Sequence, residues 1–531
     1  MSMPFPFPEF VRSSLSPQEK WQKLMSRRNE WKLYPRKCDA SGELILSAYD
    51  SDVPFPVYNN SYWWGDAWDA TDYGRAFDFN RPFFEQFYEL MCVVPREGTS
   101  IFNSINCDYN SHIRESKNCY LNSLIARCED LLYCYWMVNS RDTLDSMQAN
   151  DSTLAYECSF VNNAYHCVML EESNNCSDCY FSYQLRGCNH CLFSTNLSNK
   201  SYYLFNRPCT KEEFDGALAD VLNGSWKSWT KAREQYSEIK QKAVHRAVHS
   251  VNCENSTGDH IYNCKNCSYC FDSYGSEDCL DAISSADSKN IDSSYSAGWQ
   301  ACELVYFSVV SRGCQDIAFC SYSWFSNKIR YCDSCVSSEE SFGCIGLRRK
   351  KNCILNKQYS KEEYEALYKR IREHMQKTGE WGEFFPNKYS PFAYNETSAQ
   401  DFFPLTQEEA LAKDWRWKAV DLKEYQAPTL SELPDSSLDV PDSITQEVLA
   451  CSKTGKNYKI TKQELDFYRR MKLPLPRLCP EERHKQRSST RNPFQLWERT
   501  CSKTGKPVST SYAPQQPEKI VSEEAFLEEM D

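Results

Sequence analysis

The chain has 531 residues, a net charge of −12, and 41% apolar and 14% aromatic residues. That composition excludes a disordered chain, and the acidic balance excludes a general nucleic-acid binder. No stretch approaches the ~18 apolar residues of a membrane span, and no basic segment followed by an apolar run marks a signal peptide. The expectation is a cytoplasmic protein without a membrane partner, whose 28 cysteines stay reduced.

Residues 1–97 read as a helical, turn-rich N-terminal region. A different pattern fills residues 98–209. Cys107, Cys119, Cys128, Cys134, Cys158, Cys167, Cys176, Cys179, Cys188 and Cys191 are separated by multiples of three. Every third residue from Cys107 gives a column of Cys, Ser, Asn, Thr, Ala, Val, Ile, Leu and Met, with no aromatic and one charge, Lys200. Tyr120, Tyr135, Trp136, Phe160 and Tyr180 all lie off it. A helix buries positions three and four apart alternately and a strand every second one, so neither fits. A narrow β-solenoid does: twelve-residue coils with four short sides, each pointing one small side chain inward. At ~4.8 Å per coil, eight coils run roughly 38 Å. The spacing resembles the right-handed β-helix of insect antifreeze proteins in geometry only, since no Thr-x-Thr column accompanies it.

Residues 210–250 form a predicted helical insertion. Thr210 and Glu213 make a capping box, and His245 and His249 stand four apart on a predicted helix. The second array, 251–357, repeats the column through Cys264, Cys267, Cys270 and Cys279. A frame slip follows near Trp299. The column then resumes through Cys302, Cys314, Cys320, Cys332, Cys335, Cys344 and Cys353. Lys200 and Lys350 hold equivalent places, and Ser360 with Glu363 repeats the capping box. The pattern is an internal duplication of a repeat array closed by helices. Overall, the reading is a mainly β chain with two duplicated β-solenoid arrays.

A helix over about 360–378 and an extended linker occupy 358–445, and a last segment spans 446–531. Within it, residues 469–499 are basic. Arg469, Arg470, Lys472, Arg477, Arg483, Lys485, Arg487 and Arg491 are the candidate nucleic-acid contacts, weighed against a surface or intramolecular face. Acid pairs such as Glu171-Glu172 lie off the column and read as solvated corners. Three readings exist for the column thiols. Buried structural thiols rank first, because cysteine is a small, dense hydrophobe. Disulfides between stacked coils follow, then metal binding.

Several motifs carry a family resemblance: SKNCYL (116–121), EDLLYCYW (129–136), LRGCNHC (185–191), DYGRAFDFNRPFFEQF (72–87), KTGEWGEFFP (377–386), SPFAYNET (390–397) and FYRRMKLPLPRLCP (467–480). From about Arg36 onward the chain resembles a family of Cys-rich repeat proteins of candidate-phyla bacteria. These are often labelled after the CaiB/BaiF CoA-transferases, a chemistry that no motif here supports. The resemblance implies zinc ribbons of paired CxxC knuckles at both ends of the repeats. This chain departs from that pattern. Cys38 faces Ser41, Asn59 and Tyr62 at the other ligand positions. Cys451 is followed by Thr454, Cys479 by Glu482, and Cys501 by Thr504, with Ser522 and Ala525 beyond. The ribbons read as degenerate, with Cys451, Cys479, Glu482 and His484 the residual metal candidates.

No Walker loop, dinucleotide fingerprint or nucleophile elbow occurs, so no cofactor is expected. The leading functional expectation is a non-catalytic scaffold or interaction protein with a protein partner, homo-oligomers included. One alternative is an RNA- or ribosome-associated protein using the basic segment. The other is an enzyme whose pocket lies between solenoid and terminal domains.

Overall fold

The computed structural model describes residues 7–298, 301–419, 425–430 and 432–530. Trp299, near which the second column changes frame, lies outside them. The chain is mainly strand, with fewer helices, and divides into two compact units. One joins residues 1–99 to 248–419, the other 100–247 to 420–531. Each unit therefore combines one repeat array with one terminal segment distant in sequence. No helix among the described residues is long and apolar enough to cross a membrane.

In the second unit, strands from Ile101–Phe102 to Arg207–Pro208 form one largely parallel sheet. Its register is twelve residues: Ile125 pairs with Met137, Thr143 with Ala155, Cys179 with Cys191 and Leu185 with Leu197. Only the closing pair, Tyr203 with Pro208, is antiparallel. Every column residue from Cys107 to Ser194 is at most 4% exposed.

The backbone turns in step with this burial. From Cys119 to Cys134 the residue before each column position lies in the left-handed region: Asn118, Leu121, Leu124, Arg127, Asp130 and Tyr133 have φ of 53°, 50°, 57°, 53°, 57° and 58°. That conformation costs an L-residue ~1–2 kcal/mol. Asn and Asp tolerate it best, and here their side chains also bond along the stack. Asn106 donates to Asn118 at 3.0 Å, Asn118 to Asp130 at 3.2 Å, and Asn139 to Asp151 at 2.9 Å.

In the first unit, strands from Ser250–Val251 to Lys357–Gln358 form a second, mostly parallel sheet. It too has the twelve-residue register, as in Ile261 with Ser273 and Ile329 with Ser341. Around the undescribed residues the register lengthens to fourteen, Asp292 with Tyr306 and Ser294 with Ser308. That is the frame change seen in the sequence.

The aromatics excluded from the columns lie outside them, and each unit covers many of its own. Phe181 and Tyr156 pack on Trp229 of the helix Trp226–Lys242, with ring centroids 5.2 and 5.6 Å away. In the first unit Phe83 packs on Phe342 at 5.1 Å, and Phe384 on Phe307 at 4.8 Å. Such pairs add ~0.5–1.5 kcal/mol each beyond their buried area.

Two local expectations are corrected. The helix of the insertion ends at Lys242, and His245 lies in a strand, Val244–Arg246, paired in parallel with Lys519–Val521. His245 and His249 thus share no helix: the β-branched Val244 begins a strand whose ladder continues with Ala247 N–H donating to Val521. Glu171 is not a solvated corner, for it accepts from the Tyr236 hydroxyl at 2.7 Å and pairs with Lys240 under the insertion helix.

Candidate functional site

The column residues share one chemistry. Cys119 Sγ lies 3.3 Å from the carbonyl of Lys117, and Cys134 Sγ lies 3.4 Å from those of Leu132 and Thr143. Serine uses the same acceptors: Ser140 Oγ lies 2.9 Å from the Val138 carbonyl and 2.7 Å from that of Ala149, so its one O–H has either acceptor in reach. Its oxygen also accepts the Ser152 N–H, at 3.2 Å. Asn110 and Asn122 stack, with Asn110 Oδ1 taking the Asn122 N–H at 2.8 Å and Asn122 Oδ1 taking the Cys134 N–H at 2.7 Å. A buried polar group without a partner costs ~1–3 kcal/mol, so Cys, Ser and Asn succeed here because each is small and can reach a backbone group.

All 21 column cysteines named from the sequence are buried, and no disulfide joins them among the described residues. Burial pushes the Cys158 thiol up to about 12 and the Cys128 thiol up to about 11. Such thiols are weak nucleophiles near neutrality, whereas hydrogen bonds from neighbouring cysteine side chains shift Cys107, Cys176, Cys191 and Cys279 downward.

The terminal knuckles differ. Cys38 Sγ accepts N–H groups from Ser41 at 3.4 Å and Asn59 at 3.2 Å. Cys501 Sγ accepts those of Thr504 at 3.4 Å and Ser522 at 3.3 Å. For Cys501 burial acts upward, but the Thr504 hydroxyl and the N–H groups of Ser522, Thr504 and Lys503 outweigh it and bring the thiol down to about 6. For Cys451 burial is likewise outweighed, by the Thr454 hydroxyl and the N–H groups of Cys479, Lys453 and Thr454, giving about 7.

The residues filling the other ribbon positions do different work. Asn59 Oδ1 caps the helix Asn60–Trp64 through the Tyr62 N–H at 2.7 Å, and Ser522 Oγ accepts the Ala525 N–H at 3.4 Å. These neutral oxygens serve as helix caps, and the donor sets do not fit the zinc centre that the resemblance implies. The residual set is not assembled either. Cys451 and Cys479 come together, and Glu482 pairs with Lys453 at 3.0 Å. His484 instead packs against Tyr135, with ring centroids 5.4 Å apart, and burial beside Arg487 holds its imidazole neutral.

The basic segment is largely engaged inside its own unit. Arg469 pairs with Asp442 at 2.6 Å, Arg470 with Asp142 at 3.0 Å and Lys485 with Glu481 at 3.1 Å. Arg483 and Arg487 are buried and share Asp145, the latter at 2.8 Å. Arg477 donates to the Pro434 carbonyl at 2.7 Å and lies over the Trp226 ring, and Arg491 lies over Phe494. Lys472 has a positive φ of 52° at the turn after the helix Lys462–Arg470.

Sequence reasoning missed two groups. The stacked Asn and Asp corners were visible as Asn106, Asn118 and Asp130 at twelve-residue spacing. Asp145, buried and holding two arginines, carries no such signal, because an off-column acid reads as solvated.

A scan against models of known protein families finds no match, and a search of curated proteins finds none.

Proposed function

We propose that the two twelve-residue registers wind as narrow β-solenoids, and that the chain is a non-catalytic scaffold acting through its exterior. The observation that carries this is the chemical state of the columns: buried cysteines bonded to backbone carbonyls, at positions shared with serine. That state suits structure and not turnover. The proposed kinship with the Cys-rich repeat family rests on the quoted motifs and assigns no reaction.

Part of the exterior is left for a partner. Ile105 and Tyr109, at the start of the first array, are 63% and 51% exposed. The RNA-associated reading loses support, because five of its eight basic residues are paired with carboxylates. Affinity isolation from native cells tests the choice. The scaffold reading expects a stoichiometric protein partner that survives nuclease treatment and is lost with Ile105→Asp. Partners lost on nuclease treatment would overturn it in favour of RNA.

A further inference from the structure

A cavity of about 480 Å³ opens between the first strands of the 101–208 sheet and the start of the helix Lys462–Arg470. Its size is that of small-ligand sites. Asp108, Tyr109, Asn118, Tyr120, Asp130 and Gln463 contribute to its wall, and no Lys, Arg or His does among the described residues.

The two carboxylates have no countercharge of their own. Neither Asp108 nor Asp130 forms an ion pair among the described residues. Asp130 Oδ1 accepts from Asn118 at 3.2 Å and Gln463 at 3.5 Å. Both amide donors therefore fall on one oxygen, and no donor reaches Oδ2 among the described residues. Beside them the Tyr109 and Tyr120 rings stand 5.4 Å apart, tilted by 53°. Carboxylates next to aromatic faces favour a cation with apolar surface, because the ring quadrupole and the acids attract the same charge.

Other ligands fit less well. An anion would meet two carboxylates, and the helix terminus offers little compensation. Its capping box already uses the Glu464 N–H, donated to Thr461 Oγ1 at 3.1 Å, and the Thr461 N–H, donated to Glu464 at 3.3 Å. A hard divalent ion seeks six or more oxygens and has no use for tyrosine faces. A neutral sugar could stack on the rings but would leave both charges uncompensated.

We propose that this cavity binds an organic cation of the alkylguanidinium or alkylammonium class. The site does not depend on the scaffold reading, since a captured partner and a bound cation are measured separately.

The test is titration calorimetry on the full chain, with agmatine for a free cation, an N-acetylated, C-amidated Gly-Arg-Gly peptide for an arginine side chain, and maltose as the neutral control. The expected result is saturable one-to-one binding of a cation, weakened by salt, and no maltose binding. Asp130→Asn and Asp108→Asn should each weaken it by about tenfold or more, as lost bonds to a charged partner do. Tyr109→Ala should weaken it by about fivefold, from the lost ring face. Near-UV circular dichroism verifies that the near-isosteric Asn variants fold. Tighter binding of the peptide than of agmatine assigns the cation to a protein side chain, and the reverse assigns it to a free amine. No saturation by either cation up to about 10 mM, equal binding of maltose, or unchanged affinity in both folded Asn variants would overturn the proposal.

Discussion

Cys501 and Cys179 carry the same thiol in opposite settings, and the difference is measurable. Around Cys501, N–H donors and the Thr504 hydroxyl favour the thiolate, holding the group near 6 against ~8.5 in an unfolded chain. A depressed folded value contributes stability that is fully present above the unfolded value and is lost as pH falls through the folded one. The wild type should therefore exceed Cys501→Ser in melting temperature by more at pH 9 than at pH 5.5. A gap that is constant with pH would mean that folding leaves the Cys501 thiol's pKa unchanged. Cys179 Sγ instead lies 3.3 Å from the Ser177 carbonyl and 3.6 Å from that of Cys188. A serine hydroxyl placed there has the same acceptors. Cys179→Ser should then cost about 1 kcal/mol or less in urea denaturation, below the ~1–3 kcal/mol of an unsatisfied buried hydroxyl. Cys179→Leu should cost ~1–3 kcal/mol through overpacking. A reversed order would show that size does not limit this position.

At the scale of elements, helix starts were the most legible feature. Thr210 with Glu213 and Ser360 with Glu363 both form reciprocal capping boxes. The helix Phe83–Met91 starts differently: Pro82 offers no side-chain cap, and the first two N–H groups are taken by Glu380, at 2.8 Å each. Nothing in the sequence near residue 83 announces a cap 297 residues away. Glu380→Ala should destabilise the first unit by ~1–2 kcal/mol, as loss of an N-cap does, with Glu380→Gln intermediate because one carbonyl oxygen remains an acceptor. Thermal denaturation read at this helix by hydrogen exchange checks it. The same limit explains the misread insertion. Periodicity and an i, i+4 histidine pair suggested a continuing helix, but Val244–Arg246 finds its partner in Lys519–Val521, and no local pattern encodes so distant a ladder. The column burial, by contrast, was legible because the constraint on size and polarity repeats every three residues. The covering of the outer face was not, because that constraint says nothing about which aromatics meet a helix.

At the scale of the whole chain, each array is completed by a terminal segment that sequence order alone would not assign to it, and buried charge helps to hold one of these pairings. In the second unit Asp145 is fully buried and bridges Arg483 and Arg487, while Glu464 lies 3.2 Å from Arg483 and accepts from the Tyr133 hydroxyl at 2.9 Å. Two guanidinium groups thus meet two carboxyl groups away from water. Removing one partner from such a set is costly, ~3–5 kcal/mol, because an uncompensated charge stays buried, whereas replacing the whole set with apolar side chains is often neutral. Asp145→Ala should therefore loosen the 425–530 segment, lowering the melting temperature and opening the segment to limited proteolysis. Adding Arg483→Met and Arg487→Met to it should restore most of the loss. The released arginines of the single variant should also give the protein a salt-dependent affinity for single-stranded RNA that the wild type lacks. If Asp145→Ala leaves proteolysis and melting unchanged, the apolar contacts of Tyr156 with Phe467 and Tyr468 suffice to dock the segment. If the wild type already binds RNA in a salt-dependent way, the basic segment is not committed to its own unit, and the scaffold reading gives way to the RNA one.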